Sequence, residues 1–149
     1  MTKGYIEDGR GDVAPKGAHV PYFTTLGGAY EHAAQHGGKP PFDLAPSWIA
    51  AKNKLKLSTP LNFVSTPDII GGNSGSPVIN KAGEVVGIIF DGNIQSLPWR
   101  FAYEDVIGRA VSVDVRGILE ALRNVYHATR VADELAGGSS GASQSSNKN

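Results

Sequence analysis

Two short stretches decide the fold, residues 71–77 (GGNSGSP) and residues 85–90 (VVGIIF). The first places Ser74 between glycines in a tight turn, and the second has the apolar composition of a buried strand. Because glycine adopts backbone conformations that a side chain would forbid, two backbone N–H groups of such a turn can point at one spot. A substrate carbonyl oxygen that becomes negative would be stabilised there, so Ser74 is a candidate nucleophile beside a candidate oxyanion hole.

The rest of the sequence predicts a mainly β chain with several helices. Apolar and turn patterns predict strands at residues 20–25, 61–65, 77–80, 84–90 and 109–113, and a tight turn at residues 81–84 joins two of them in a hairpin. The nearly continuous apolar character of residues 84–90 predicts burial on both faces of that strand. Residues 1–18 are predicted to form loops or hairpin ends. Helical spacing predicts helices at residues 26–34, 45–55, 115–126 and 129–135, the third of them capped by Asp114.

Composition excludes several classes of function. The 149 residues suffice for one domain with a hydrophobic core, and the 14 basic and 14 acidic residues cancel, so nothing indicates nucleic acid or an anionic membrane as a partner. The absence of cysteine excludes a disulfide framework, thiolate metal sites and a cysteine nucleophile. No apolar run approaches the roughly 20 residues of a membrane-spanning helix, and the N-terminal residues do not form a signal peptide. We therefore expect the chain either to be cytosolic or to continue upstream of Met1.

The turn at residues 72–77 resembles the nucleophile turn of chymotrypsin-fold serine proteases, whose usual form is Gly-Asp-Ser-Gly-Gly-Pro. Its surroundings extend the likeness to most of residues 3–135. The stretches that carry it are residues 61–66 (LNFVST), 68–78 (DIIGGNSGSPV), 90–93 (FDGN) and 110–114 (AVSVD). Together they resemble the C-terminal section of a family of bacterial exopeptidases that includes dipeptidyl-peptidase 7 and dipeptidyl-peptidase 11.

The resemblance implies a fold, an activity and a location. The fold would be part of a chymotrypsin-like double β-barrel, namely the second barrel with short helices and a C-terminal helix. Residues 1–57 would lead into that barrel, residues 58–136 would form its C-terminal part, and residues 137–149 would be a disordered tail. The family implies a serine-type dipeptidyl aminopeptidase that releases N-terminal dipeptides from oligopeptides. Its members are periplasmic or cell-surface proteins, and the full-length enzyme is a possible homodimer.

The resemblance also assigns roles to individual residues. Ser74 matches the nucleophile, and the backbone N–H groups of Gly72 and Ser74 match the oxyanion hole. Asp91, Gly92 and Asn93 match a loop that binds substrate, in which the carboxylate at position 91 helps bind the free α-amino group. Members that prefer Asp or Glu as the second substrate residue carry arginine at the position of Gly92. Glycine there implies a preference for an apolar second residue.

A serine nucleophile needs a general base and a group that orients that base. The resemblance places this histidine and aspartate far upstream, on the first barrel, outside these 149 residues. The histidines present are His19, His32, His36 and His127, and for each of them we expect a surface or helix-end role. The chain is therefore predicted to be an inactive fragment that requires the missing N-terminal barrel. His32 and His36 lie one helical turn apart, but no third ligand is evident, so neither a metal site nor a cofactor is expected.

Two alternatives remain open from the sequence. The chain could be a non-catalytic remnant or an interaction module of this fold, as the missing histidine and aspartate would allow. It could also belong to a trypsin-like endopeptidase, although that hypothesis does not account for residues 91–93. A strict requirement for a free substrate amine would favour the exopeptidase, and cleavage of N-terminally blocked peptides would favour the endopeptidase.

Overall fold

The structure is a computed structural model and describes residues 22–137. The predicted loop at residues 1–18, the start of the first predicted strand and residues 138–149 of the predicted tail lie outside the described residues.

Five strands form one antiparallel sheet in the described part of the chain. They are β1 (Phe23–Thr25), β2 (Pro60–Ser65), β3 (Pro77–Ile79), β4 (Val85–Gly92) and β5 (Ala110–Asp114). Their order across the sheet is β1-β2-β5-β4-β3. The predicted hairpin between β3 and β4 is confirmed. Its turn is held by the side chain of Asn80, which accepts hydrogen bonds from the backbone of Ala82 and Glu84.

Within residues 22–137, four α-helices accompany the sheet, and each was predicted. They are α1 (Leu26–Gln35), α2 (Pro46–Ala51), α3 (Val115–Asn124) and α4 (Thr129–Leu135). A 3₁₀ turn, Lys52–Lys54, extends α2. A second 3₁₀ helix, Ile94–Arg100, directly follows β4 and was not predicted, because Pro98 and a spacing that fits neither a strand nor an α-helix conceal it.

The junction between β5 and α3 is fixed by an acidic cap. The carboxylate of Asp114 accepts a hydrogen bond from the backbone N–H of Arg116 at 2.9 Å, which confirms the predicted N-cap. The guanidinium of Arg116 also binds both carboxylate oxygens of Asp114, at 2.8 and 2.7 Å. This hydrogen bonding raises the pKa of Arg116.

One hydrophobic cluster joins the helices to the start of the sheet. Its buried members are Leu26 and Tyr30 of α1, Ala51 and Leu55 at and after the end of α2, and Ala121 and Val125 at the end of α3. Leu44, Trp48 and Leu61 pack against it. The cluster therefore contains residues from both sides of the boundary that the sequence predicts at residue 57.

β4 is buried on one face only, so the prediction of burial on both faces is wrong. Gly87 and Ile89 are buried, whereas Ile88 and Phe90 are 38% and 43% exposed. The ring of Phe63 reaches across β5 to Gly87, where a side chain could not fit. A continuous apolar run carries no period, and so the sequence could not tell one covered face from two.

Candidate active site

The turn that carries Ser74 is closed by its own hydrogen bonds. The backbone N–H of Ile70 donates to the side-chain oxygen of Asn73 at 2.8 Å, and the N–H of Asn73 donates to the carbonyl of Ile70 at 3.1 Å. The N–H of Ser76 donates to the carbonyl of Asn73 at 2.9 Å. Gly72 and Gly75 have φ angles of 106° and 90°, which side chains rarely adopt. Glycine on both sides of Ser74 is thus what allows this turn.

Strand β4 holds the turn in place. The N–H of Gly75 donates to the carbonyl of Ile89 at 2.8 Å, and the N–H of Ile89 donates to the carbonyl of Ser76 at 3.0 Å. The hydroxyl of Ser74 donates to the carbonyl of Phe90 at 3.3 Å. Ser74 makes this contact with β4 and is nevertheless exposed to solvent.

The backbone N–H groups of the turn divide into two sets. Those of Asn73 and Gly75 donate to carbonyl oxygens within the chain. Those of Gly71, Gly72 and Ser74 donate to no acceptor among residues 22–137. Both donors predicted for the oxyanion hole, Gly72 and Ser74, are in this second set, and their binding of a substrate oxygen stays a prediction.

A cavity of about 190 Å³ opens beside Ser74. Its wall comes from the turn, the end of β4 and the 3₁₀ helix Ile94–Arg100. Apolar contributions include Ile69, Phe90 and Leu97, and the polar or charged ones include Ser74, Asp91 and Arg100. The sequence predicted that Ser74, Asp91 and Gly92 act together, and all three line this cavity. Nothing in the sequence singled out the part of the wall that comes from the 3₁₀ helix.

Asp91 and Gly92 lie where β4 ends. The side chain of Asp91 is exposed, and its carboxylate accepts a hydrogen bond from the N–H of Gly92 at 2.8 Å. A Cβ atom at Gly92 would collide with the hydroxyl of Ser96 and lie 3.2 Å from Cδ1 of Ile69. Position 92 therefore has no room for a side chain unless Ser96 moves.

Asn93 is buried, and both polar atoms of its side chain form hydrogen bonds within the chain. Its Nδ2 donates to the carbonyl of Ile107 at 2.9 Å, and its Oδ1 accepts from the N–H of Arg109 at 2.8 Å. Its carbonyl accepts from both the N–H and the hydroxyl of Ser96. The side chain thus ties the 3₁₀ helix to the loop before β5. Asn93 is not among the cavity-lining residues, and its predicted contact with substrate stays a prediction.

The loop before β5 is organised by two charged side chains. The carboxylate of Glu104 accepts hydrogen bonds from the backbone N–H groups of Val106, Ile107 and Gly108, at 2.8, 3.3 and 2.9 Å. These bonds, that from Gly108 above all, lower the pKa of Glu104. The buried guanidinium of Arg109 donates to backbone carbonyls of the same loop, including that of Val106 at 3.2 Å.

The described histidines do not line the cavity. The rings of His32 and His36 lie with their centroids 4.4 Å apart and their planes tilted by 53°, and both contact the ring of Phe42. Within residues 22–137, no group of three or more histidine, aspartate or glutamate side chains could hold a metal ion. In the same part of the chain, no helix is both long and apolar enough to cross a bilayer.

Comparison with known proteins identifies the family. The sequence profile of Peptidase S46 matches residues 1–137. The chain belongs to the Peptidase S46 family. It is 45% identical over 78 residues to an Asp/Glu-specific dipeptidyl-peptidase of Shewanella putrefaciens, covering 52% of this chain and 11% of that one. It is 34% identical over 128 residues to dipeptidyl-peptidase 7 of Phocaeicola vulgatus, covering 80% of this chain and 17% of that one.

Solved structures agree with the assignment to Peptidase S46. The fold is similar to that of Porphyromonas endodontalis DPP11 in complex with the dipeptide Arg-Glu, with a TM-score of 0.71 and 25% identity. That match covers 91% of this chain and 19% of the DPP11 chain. The chain spans between 11% and 17% of the length of the two curated S46 relatives described above.

Proposed function

We propose that this chain supplies the nucleophile and substrate pocket of a serine-type dipeptidyl aminopeptidase, which releases N-terminal dipeptides from oligopeptides. The observation that carries the proposal is that the N–H groups of Gly72 and Ser74 have no acceptor among residues 22–137. Of the neighbouring N–H groups of the turn, all but that of Gly71 donate hydrogen bonds within the chain. Preorganised donors of this kind stabilise the negative oxygen of a tetrahedral intermediate, and the loss of one typically costs about 3 kcal/mol in the barrier.

The proposed reaction is acyl transfer in two steps. Ser74 Oγ attacks the carbonyl carbon of the second substrate residue, and the C–N bond breaks after the leaving amine receives a proton. Water then hydrolyses the ester and releases the dipeptide. The general base comes, in this proposal, from the histidine of an upstream first barrel that packs on this chain as in chymotrypsin-like double barrels. We also propose that the complete enzyme is periplasmic or cell-surface, and a homodimer.

Asp91 is the proposed partner of the substrate's free amine. Its carboxylate is exposed at the cavity wall and uses one oxygen for the N–H of Gly92. The remaining acceptor sites can bind an ammonium group, and such a charge-assisted hydrogen bond is stronger than a neutral one. A carboxylate in the wall of the cavity that Ser74 also lines would restrict cleavage to peptides with a free N-terminus.

An apolar second residue is the proposed preference of the cavity. Gly92 brings no cation to the wall, and the side chains of Ile69, Phe90 and Leu97 offer apolar surface. Burial of apolar side-chain surface against such a wall contributes about 25 cal/mol per Å². One of the S46 relatives, that from Shewanella putrefaciens, is named Asp/Glu-specific.

The test uses the enzyme as its source cells make it, with substitutions introduced in the gene. Ser74→Ala is expected to abolish release of dipeptides, whereas the matched control Ser76→Ala, two residues along the same turn, retains it. Substrates with leucine or phenylalanine as the second residue should be cleaved faster than one with aspartate. Cleavage of N-terminally blocked peptides would indicate an endopeptidase, and no Ser74-dependent cleavage would indicate a non-catalytic module.

A further inference from the structure

Two opposite charges face the cavity beside Ser74. Asp91, at the end of β4, contributes the negative charge, and Arg100, the last residue of the 3₁₀ helix Ile94–Arg100, contributes the positive one. The guanidinium reaches the nucleophile turn, because its Nη2 lies 4.0 Å from the position that a Cβ would occupy at Gly71. A ligand that lies between the turn and the 3₁₀ helix therefore meets a cation on one wall and an anion on another.

Arg100 differs from three other arginines among residues 22–137, which bind other groups of the fold. Arg116 binds Asp114, Arg123 binds Asp133 at 3.0 Å, and Arg109 is buried against backbone carbonyls. Arg100 makes no hydrogen bond or ion pair with any of residues 22–137. An arginine in this state keeps five N–H donors in a planar fork, the geometry that binds a carboxylate through two parallel hydrogen bonds.

We propose that Arg100 is a specificity-determining residue of this cavity, which binds the side-chain carboxylate of an acidic second substrate residue. The inference rests on the proposed function, because the second residue is the one whose carbonyl meets Ser74. Its side chain must therefore enter the adjoining cavity. A peptide with a free amine for Asp91 and a carboxylate for Arg100 matches both charges of the wall. The cavity would then accept glutamate in addition to apolar residues, with the cation supplied by Arg100 and not from position 92.

The charge effect is best isolated with isosteric substrates. Glutamate and glutamine differ in charge but hardly in shape, so the ratio of their kcat/KM values reports on the cation alone. In the complete enzyme, we expect Arg100→Gln to lower this ratio about fivefold, the effect of a solvent-exposed ion pair. Arg100→Lys should preserve much of the ratio, and the remote control Arg130→Gln, at an exposed position on α4, should preserve all of it. The ratio in the unmodified enzyme should fall as salt rises, because salt screens exposed charges.

The possible failures are distinguishable. If Arg100→Gln leaves the glutamate-to-glutamine ratio unchanged while dipeptides are still released, the role of Arg100 is overturned and the proposed function stands. An equal loss of kcat/KM on both substrates would also overturn it, because a purely structural effect does not depend on the charge of the substrate. If the unmodified enzyme cleaves none of the free-amine substrates, the proposed function fails, and the inference about Arg100 fails with it.

Discussion

The hydroxyl of Ser74 donates a hydrogen bond to the backbone carbonyl of Phe90, across 3.3 Å. This distance is long for an O–H···O bond, whose usual length is about 2.7–2.8 Å. The hydroxyl is therefore held weakly and can rotate towards a general base at little cost. The same contact lies at the end of β4 that borders the cavity, so one strand adjoins both the Ser74 hydroxyl and the cavity wall.

The turn should depend on Gly72 for a conformational reason. Its φ is 106°, and no atom lies within 4 Å of a Cβ built on it, so a side chain there is strained by the backbone alone. We expect Gly72→Ala to lower the free energy of unfolding by about 1–2 kcal/mol. The matched control is Gly71→Ala, since its Cβ would meet only Nη2 of Arg100 at 4.0 Å. Urea denaturation of the two variants measures this, and equal decreases in the free energy of unfolding would contradict it.

Gly92 and Ser96 should behave as a coupled pair. A Cβ at position 92 collides with the hydroxyl of Ser96, so we expect Gly92→Ala to destabilise the chain by about 1–3 kcal/mol through overpacking. Ser96→Ala removes the obstructing oxygen together with its 2.7 Å hydrogen bond to the carbonyl of Asn93. In the Ser96→Ala variant, the loss of unfolding free energy caused by Gly92→Ala should be smaller, by at least about 0.5 kcal/mol, than in the unmodified chain. A double-mutant cycle from thermal or urea unfolding measures the coupling, and strict additivity would refute it.

Asn93 should be important for stability, whatever its role towards substrate. Asn93→Ala leaves the carbonyl of Ile107 and the N–H of Arg109 without their partner. Because an unsatisfied buried polar group costs about 1–3 kcal/mol, we expect a loss of more than about 2 kcal/mol in the free energy of unfolding. Asn53→Ala, at an exposed position after α2, is the control and should change it by less than about 0.5 kcal/mol. Similar values for the two variants would show that these hydrogen bonds contribute little.

Glu104 should make stability depend on pH in the acid range. Hydrogen bonds from the backbone, led by that of Gly108, lower the pKa of its carboxyl in the folded chain. A group with a lowered pKa stabilises the fold fully above its ordinary pKa, about 4.3, and this stabilisation is lost as the pH falls through the lowered value. Glu104→Gln should therefore flatten the decline of stability on acidification. Melting temperatures of both chains between about pH 6 and pH 3 check this, and parallel curves would contradict it.

Local chemistry made part of this protein predictable. The glycines around Ser74, the cap at Asp114 and the hairpin turn at residues 81–84 each depend on residues a few positions apart, and all were anticipated from the sequence. The grouping of Ser74, Asp91 and Gly92 was also anticipated, although from the resemblance to a family and not from spacing.

By itself, the sequence determined the strands, the α-helices and the glycine-rich turn around Ser74, because these follow from backbone preferences and short-range hydrogen bonds. Only the tertiary structure decided that one face of β4 is exposed, that the side chain of Asn93 forms hydrogen bonds to the loop before β5, and that Arg100 lines the cavity. Each of these depends on which distant segments come to lie together. Such contacts leave no periodic trace along the chain, since a side chain's surroundings are set by packing and not by its neighbours in sequence.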